Sequence, residues 1–291
     1  MTEELKKRIA VIDAALNDYL PVCDKPQGII YDAMRYSVFA GGKRLRPMLM
    51  WECAKLLGGD WDTVRPFACA LEMIHTYSLI HDDLPAMDND DLRRGMPTSH
   101  IKFGEDIAIL AGDALLNKAF ETVAAADHAD AAIAIRAMGV LSNASGTEGM
   151  IGGQVIDLKS EGKEIAIAEL QHLHLLKTGA LIRAACVIGG MLAGADDKEL
   201  DSLDSFAKAL GVAFQIQDDI LDVTGDEETL GKPIGSDAEQ DKNTYVRLCG
   251  LDRSKQLVEK YSKDASEALK GFGNKAEFLN KLTEYLINRN N

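Results

Sequence analysis

Apolar residues recur every three or four positions along most of the chain, which is the spacing of helices that bury one face. The pattern predicts helices at residues 3–20, 29–40, 48–57, 64–81, 107–125, 129–139 and onward to the region 149–153, and then at 165–190, 198–222, 253–269 and 275–287. Alternating runs of β-branched residues, which would predict strands, are nearly absent. We therefore predict a single all-α domain, residues 1–291, built as one large bundle of ten or more helices.

The composition limits the partners that this domain could bind. The chain has 46 acidic and 32 basic residues and a net charge of −14, which disfavours nucleic acid and anionic membrane surfaces. Five cysteines without CxxC spacing indicate reduced thiols. The N-terminus lacks a signal-peptide core, and no apolar run reaches membrane-spanning length. We expect a cytoplasmic protein without membrane insertion, in which local basic clusters bind a small anion.

Two acidic clusters stand at the C-terminal ends of predicted helices, and the first follows the predicted helix at 64–81. Asp82 and Asp88 lie six residues apart, so a continuous helix would place them about 240° apart around its axis. Pro85 predicts a break near residues 84–87. We expect the chain to curl back there and to bring Asp88 alongside Asp82.

The second cluster includes Asp218 and Asp222, four residues apart on one face of a predicted helix. Like charges at that spacing repel each other, and a divalent cation would relieve the repulsion. Oxygen ligands with few His or Cys nearby favour Mg²⁺, with Mn²⁺ possible, over zinc. Acidic runs more often form solvated surface, but two clusters that each follow a long apolar helix favour function. Our hypothesis is that both face one cavity and hold cations on a diphosphate.

Basic residues in this acidic chain indicate two anionic sites, one bridged by metal and one held by bases alone. Their positions suit phosphate because glycines let backbone amides approach an anion and arginine offers a forked donor. The candidates are Lys43, Arg46, Arg93, Arg94, Lys177 and Lys232. Arg44 and Lys242, taken singly, are better explained as ordinary surface groups. His75 precedes Asp82 by about two helical turns and is predicted to share its face.

These motifs resemble those of bacterial short-chain trans-isoprenyl diphosphate synthases. The segment 75–95 resembles the first aspartate-rich motif of that family, DDxxxxD, and 218–222 resembles the second, DDxxD. Segments 41–47, 152–157, 177–178 and 231–237 also fit in order and spacing. The resemblance covers essentially the whole chain. It implies the isoprenoid synthase fold, with helices around a central cavity, and usually a homodimer.

The resemblance also implies a role for each matching residue. Three Mg²⁺ ions on the allylic diphosphate would be held by Asp82, Asp88 and Asp218, with assistance from Asp83, Asp219 and Asp222. The same diphosphate would contact Arg93, Lys177 and Lys232. Isopentenyl diphosphate would bind Lys43, Arg46, His75 and Arg94, with Arg289 as a further candidate. Oxygens facing the allylic cation would come from Thr178 and Gln215. Released pyrophosphate would take the final proton, and the Gly- and Pro-containing segment 225–237 would form a lid.

The residues one to two turns before Asp82 are placed to limit the length of the product tail. Tyr77 and Ser78 occupy the fifth and fourth positions before it, and an aromatic at the fifth resembles bacterial farnesyl diphosphate synthases. The expected reaction condenses isopentenyl diphosphate with dimethylallyl and then geranyl diphosphate to give farnesyl diphosphate. The alternatives are a geranylgeranyl or geranyl diphosphate synthase, a terpene cyclase, or a helical partner subunit without activity.

Overall fold

The computed structural model describes residues 1–224 and 242–288, and these form helices along almost their whole length. The helices are α1 Thr2–Tyr19, α2 Gly28–Val38, α3 Leu45–Leu56, α4 Trp61–Asp82, α5 Ser99–Phe103, α6 Glu105–Ala125, α7 Ala131–Ser145, α8 Met150–Ser160, α9 Ile167–His174, α10 Ala180–Leu192, α11 Asp197–Thr224, α12 Tyr245–Cys249, α13 Leu251–Ala268 and α14 Glu277–Ile287. The all-α prediction is confirmed. The predicted lid at 225–237, with Lys232, and the tail residue Arg289 lie outside the described residues.

In the described part of the chain, the sheet structure consists of one hairpin with two residues in each strand. Strands β1 Leu92–Arg93 and β2 Met96–Pro97 pair antiparallel. Arg94 and Gly95 form the turn between them, both with positive φ, at 55° and 75°. Such turns suit the twist of paired strands. Strands this short show no alternation in sequence, so the pattern could not predict them.

Helix α10 lies at the centre of the bundle and packs against α3, α4, α7 and α11. Gly189 lets α10 approach α3 closely, since a Cβ at this position would lie 2.3 Å from the carbonyl oxygen of Met50. The helix predicted at 165–190 is divided by a π-helical turn, Leu175–Gly179, which joins α9 to α10. Apolar periodicity does not report a change from i→i+4 to i→i+5 hydrogen bonding, so the sequence predicted one continuous helix.

Among the described residues one helical run, Ile167–Leu192, is long and apolar enough by composition to cross a bilayer, although Glu169, Lys177 and Arg183 interrupt its apolar residues. Its most apolar window is 61% buried inside the bundle. Burial against other helices explains its apolar character, so we interpret the run as a core helix.

Candidate active site

The first acidic cluster forms a compact turn at the end of α4. The helix ends at Asp82, and the amide of Asp88 donates a hydrogen bond to the carbonyl oxygen of Asp82 at 2.9 Å. Asn89 then takes a left-handed conformation, φ 54°. The chain therefore curls back as expected, with the break slightly earlier than residues 84–87, and Asp88 lies alongside Asp82.

The protein compensates little of the negative charge on the buried Asp82 carboxylate. Burial raises its pKa to about 6; the positive charge of Lys177 opposes that rise, and the negative charge of Asp88 adds to it. A buried carboxylate with this balance would be stabilised by a further cation. The position is therefore electrostatically suited to a divalent ion.

Asp83 and Asp219, by contrast, are engaged by protein groups. Both Asp83 oxygens accept hydrogen bonds from Nε of Arg93, at 2.7 and 2.9 Å. Asp219 accepts from the Gln215 side chain at 3.2 Å and from the backbone amide of Tyr245 at 2.8 Å. The two carboxylates thus position Arg93 and Gln215. Arg93 and Asp83 line one small pocket.

The second acidic cluster lies on α11, and Asp218 is close enough to Arg46 to act on its pKa. Arg46 and Asp82 line one and the same cavity. Asp222, one turn further along α11, is 3% exposed. Within the described ranges no three His, Cys, Asp or Glu side chains gather closely enough to hold a metal alone. The oxygen-only donors fit Mg²⁺ provided that phosphate or water oxygens complete its coordination.

The π-helical turn presents Lys177 and Thr178 to the cavity. The Lys177 ammonium lies 2.6 Å from a carboxylate oxygen of Asp157 on α8. Burial lowers the pKa of Lys177, but the charges of Asp157 and Asp82 outweigh this and raise it, so Lys177 is cationic. The hydroxyl of Thr178 donates to the side-chain oxygen of Gln215 at 3.0 Å.

The main cavity has a volume of about 430 Å³, within the usual range for small-molecule sites. Asp82, Lys177 and Thr178 line it together with Tyr77 and Leu116. Its other lining residues include Arg46, His75, Ser78, His81, Met87, Asp113, Met150, Ile151, Gln154, Val155 and Leu158. A cavity lined by both charged and apolar side chains suits a molecule with an anionic head and a hydrocarbon tail.

Tyr77 is 5% exposed, and its hydroxyl has no hydrogen-bond partner among the described residues. Burial, followed by the charge of Asp82, raises its pKa to about 12. Its ring meets the ring of His81 edge to face at 5.7 Å. The Ser78 hydroxyl donates to the carbonyl oxygen of His75 at 2.9 Å. Tyr77 thus contributes a large buried side chain to the chamber wall.

A second pocket, of about 480 Å³, adjoins the main cavity and shares Arg46 and His75 with it. Lys43 and Arg94 also line it, so four residues predicted for one substrate lie together. Burial lowers the pKa of Arg46 to about 10. Burial, with the charge of Arg46, lowers the pKa of His75 well below 6.5, so its imidazole is neutral at pH 7. The pocket is cationic and suits an anion.

Two arginines that line this pocket are also bonded to other groups of the protein. Arg44 is 2% exposed and pairs with Asp13 at 2.7 Å and with Glu72 at 3.0 Å. The Arg94 side chain donates to the carbonyl oxygen of Gly41. Gly42 has a φ of 131°, a backbone conformation that residues with a side chain rarely adopt, and it lies against the Arg94 guanidinium. Arg44 is therefore a buried anchor and not the surface group that the sequence suggested.

Sequence reasoning assigned no role to three further residues at the site. Asp157 pairs with Lys177, and Lys242 lies 3.5 Å from a carboxylate oxygen of Asp88. Gln154 lines the main cavity from α8. In the sequence, the signal that could have pointed to Asp157 and Gln154 was their spacing of three residues, about one helical turn, which puts them on one face of a helix.

A family model described as polyprenyl synthetase matches residues 27–275. The chain belongs to the polyprenyl synthetase family. It is 47% identical over 288 residues to the large subunit 1 of a heterodimeric chloroplastic geranylgeranyl pyrophosphate synthase from Arabidopsis thaliana, covering 97% of this chain and 77% of that one. It is 46% identical over 278 residues to a farnesyl diphosphate synthase from Micrococcus luteus, covering 96% and 94%. The crystal structure of an FPP/GFPP synthase from Zymomonas mobilis superposes with a TM-score of 0.87 at 34% identity, covering 99% and 100%.

Proposed function

We propose that this polyprenyl synthetase makes farnesyl diphosphate by two successive condensations of isopentenyl diphosphate, first with dimethylallyl and then with geranyl diphosphate. The observation that carries the proposal is the arrangement of two anion sites around one apolar chamber that is bordered by Tyr77. The family membership supports prenyl transfer, and the buried tyrosine supports a short product.

The allylic substrate would bind with its diphosphate beside Asp82 and Lys177 and its hydrocarbon in the main cavity. Mg²⁺ would be held by Asp82, Asp88, Asp218 and Asp222, with three ions per site, which is the number that the family resemblance implies. Mn²⁺ is a possible substitute. Bound Mg²⁺ would neutralise charge on the departing diphosphate. The Lys177 ammonium, held by Asp157 at 2.6 Å, would donate hydrogen bonds to the same leaving group.

The Thr178 and Gln215 oxygens would face the allylic carbons as positive charge develops. Gln215 is held in place because its oxygen accepts from Thr178 and its nitrogen donates to Asp219. The apolar walls of the chamber would exclude water, which would otherwise quench the cation. In the adjoining pocket, Lys43, Arg46, His75 and Arg94 would hold isopentenyl diphosphate so that its double bond attacks. Released pyrophosphate would accept the proton that is lost.

Tyr77 would end the space for the growing tail. It lies five residues before Asp82, which is about 7.5 Å along α4 at 1.5 Å per residue. Its buried ring supports a limit near C15. Relatives named both farnesyl and geranylgeranyl synthases favour C20 as the second candidate.

A homodimer is part of the proposal. Apolar side chains near the cavity are solvent-exposed on α6, at Ile109 and Leu110, and on α8, at Ile151 and Val155. A second copy of the chain would cover this surface. Sedimentation giving a dimer mass would support it. A location in the cytoplasm is proposed from the composition alone.

Product analysis of the purified chain tests the function. It is incubated with isopentenyl and dimethylallyl diphosphates and Mg²⁺, and the products are dephosphorylated and separated by chain length. Farnesol as the main product is expected. Geranylgeraniol would replace the C15 assignment with C20. Turnover of farnesyl diphosphate without isopentenyl diphosphate would instead indicate a terpene cyclase.

A further inference from the structure

Tyr245 is the first residue of α12, a helix of five residues. A helix this short is not stable alone, so contacts with the rest of the protein must hold it in place. Tyr245 is the buried residue of α12, at 3% exposure, and its ring belongs to a separate apolar cluster with side chains of α9, α11 and α13. These side chains are Leu170, Val212, Ile216, Ile220 and Val258. The buried ring therefore sets the position of α12 in the bundle.

The backbone amide of Tyr245 is linked by hydrogen bonds to the site. It donates to one oxygen of the Asp219 carboxylate at 2.8 Å, and the Gln215 nitrogen donates to the other oxygen at 3.2 Å. An ionised carboxylate accepts hydrogen bonds and donates none, so Asp219 fixes which end of the Gln215 amide faces it. The Gln215 oxygen is thereby turned towards Thr178, whose hydroxyl donates to it at 3.0 Å. A chain of hydrogen bonds thus joins α12 to the two residues assigned to the allylic cation.

The ring of Tyr245 makes a second link to the same pair of residues. It lies 5.6 Å from the ring of His174, measured between centroids. His174 is the last residue of α9 and directly precedes the π-helical turn that carries Thr178. Burial lowers the pKa of His174 to about 4, so its ring is neutral at pH 7. Tyr245 therefore supports Thr178 through α9 and Gln215 through Asp219.

We propose that Tyr245 is a positioning residue for prenyl transfer, which anchors α12 so that its amide holds Asp219 and keeps the Gln215 oxygen directed at the allylic cation. This inference rests on the proposed prenyl transfer. Among the described residues that line the main cavity and the basic pocket, Tyr245 is absent, so it acts without touching either substrate. Asp219, which the family resemblance assigns to metal binding, serves here to orient Gln215. An oxygen held in place beforehand stabilises the developing charge without the cost of reorientation.

The rival explanation is that Tyr245 only fills the apolar cluster. Both explanations predict a lower melting temperature when the ring is lost, so stability alone does not distinguish them. They differ in the kcat of the folded enzyme and in whether the loss of kcat depends on Gln215. A residue that acts through Gln215 has little further effect once the Gln215 amide is removed, whereas a packing defect acts independently of that amide.

The experiment compares wild type with Tyr245→Leu, Tyr245→Phe and the control Val258→Ala from the same cluster. Tyr245→Leu is also combined with Gln215→Met. Melting temperatures are measured by differential scanning fluorimetry. The kcat, the KM for each diphosphate and the Mg²⁺ concentration that gives half the maximal rate are measured well below every melting temperature. His174→Leu, which removes the same ring contact from α9, takes the place of Tyr245→Leu if that variant does not fold.

For Tyr245→Leu, or for His174→Leu in its place, we expect kcat to fall by about 10- to 100-fold because the Gln215 oxygen is misplaced. Both KM values should stay within about threefold of wild type. Tyr245→Phe keeps the ring and removes a hydroxyl without a partner among the described residues, so it should retain the wild-type kcat. Val258→Ala should lower the melting temperature and leave kcat unchanged. Combined with Gln215→Met, Tyr245→Leu should lower kcat by less than about twofold.

Three results would overturn the inference. The first is an unchanged kcat in Tyr245→Leu, and the second is the same loss of kcat with and without Gln215→Met. The third is that neither Tyr245→Leu nor His174→Leu folds, which would show that the ring contact is needed for the bundle itself. A higher Mg²⁺ requirement in Tyr245→Leu would show that Asp219 serves the metal and would also count against the inference. A wild-type chain that does not condense the two diphosphates would instead refute the proposed function.

Discussion

Replacing Asp82 with asparagine removes a charge that the free protein stabilises poorly. Burial raises the Asp82 pKa from an ordinary 3.8 to about 6. Since one pKa unit equals about 1.36 kcal/mol, the ionised carboxylate costs the fold about 3 kcal/mol. That cost is complete above pH 6–7, where the group is charged in both the folded and unfolded states. It falls as the pH drops through about 6 and vanishes below the ordinary pKa, where both states are protonated.

Asp82→Asn should therefore melt roughly 6 °C above wild type at pH 8 in EDTA, and the gain should be about half as large at pH 5. The same variant should lose more than about 100-fold in prenyl transfer when Mg²⁺ is present. Differential scanning fluorimetry across pH measures the first effect, and isopentenyl diphosphate incorporation measures the second. Chelation by EDTA is needed because a bound cation would remove the electrostatic cost.

Asp204→Asn is a control for which we expect the opposite change in melting temperature. Burial acts to raise the Asp204 pKa, but hydrogen bonds from Arg183 and Lys208 outweigh it and lower the pKa. Its stabilising effect is present above the ordinary pKa and is lost as the pH falls through the folded value, so Asp204→Asn should melt below wild type at pH 8. If Asp82→Asn also melts below wild type at pH 8, or its gain does not shrink towards pH 5, the electrostatic reasoning about Asp82 is wrong.

Three further predictions concern the cavity walls and the basic pocket. Tyr77→Ala removes a buried ring from the chamber wall and should lengthen the main product beyond C15; an unchanged chromatographic profile would place the wall elsewhere. Gly153→Ala forces a Cβ to 2.3 Å from the Lys177 amide, and should destabilise the fold by about 1–3 kcal/mol in urea unfolding; an unchanged midpoint would mean that α8 shifts freely. Arg46→Met should raise KM for isopentenyl diphosphate by roughly tenfold or more while KM for dimethylallyl diphosphate changes little; equal increases would show that Arg46 serves both substrates.

Features encoded by local spacing could be predicted from the sequence. The 3.6-residue period predicted the longer helices to within a few residues at most ends, but no predicted range covers α5, α12 or most of α8. The six-residue separation of Asp82 and Asp88, with Pro85 between them, predicted the turn that joins the two aspartates. The glycines before Lys43 predicted an anion site, and the structure adds that Gly42 has a positive φ and lies against the Arg94 guanidinium.

Interactions between distant segments required the tertiary structure. No local pattern indicates that Asp83 is engaged by Arg93, that Arg44 turns inward to Glu72, or that Asp157 holds Lys177. The pKa values of Asp82 and His75 likewise depend on burial and on charges from other helices.

The sequence by itself determined the helical class, the family and the identity of most candidate site residues, because hydrophobic period and motif spacing are properties of short stretches of chain. Only the tertiary structure decided which carboxylates are engaged by protein groups, where the chamber is bordered, and how Tyr245 reaches Asp219. Those features depend on close approaches such as that of Gly153 to Lys177, which form when separate helices pack around one core.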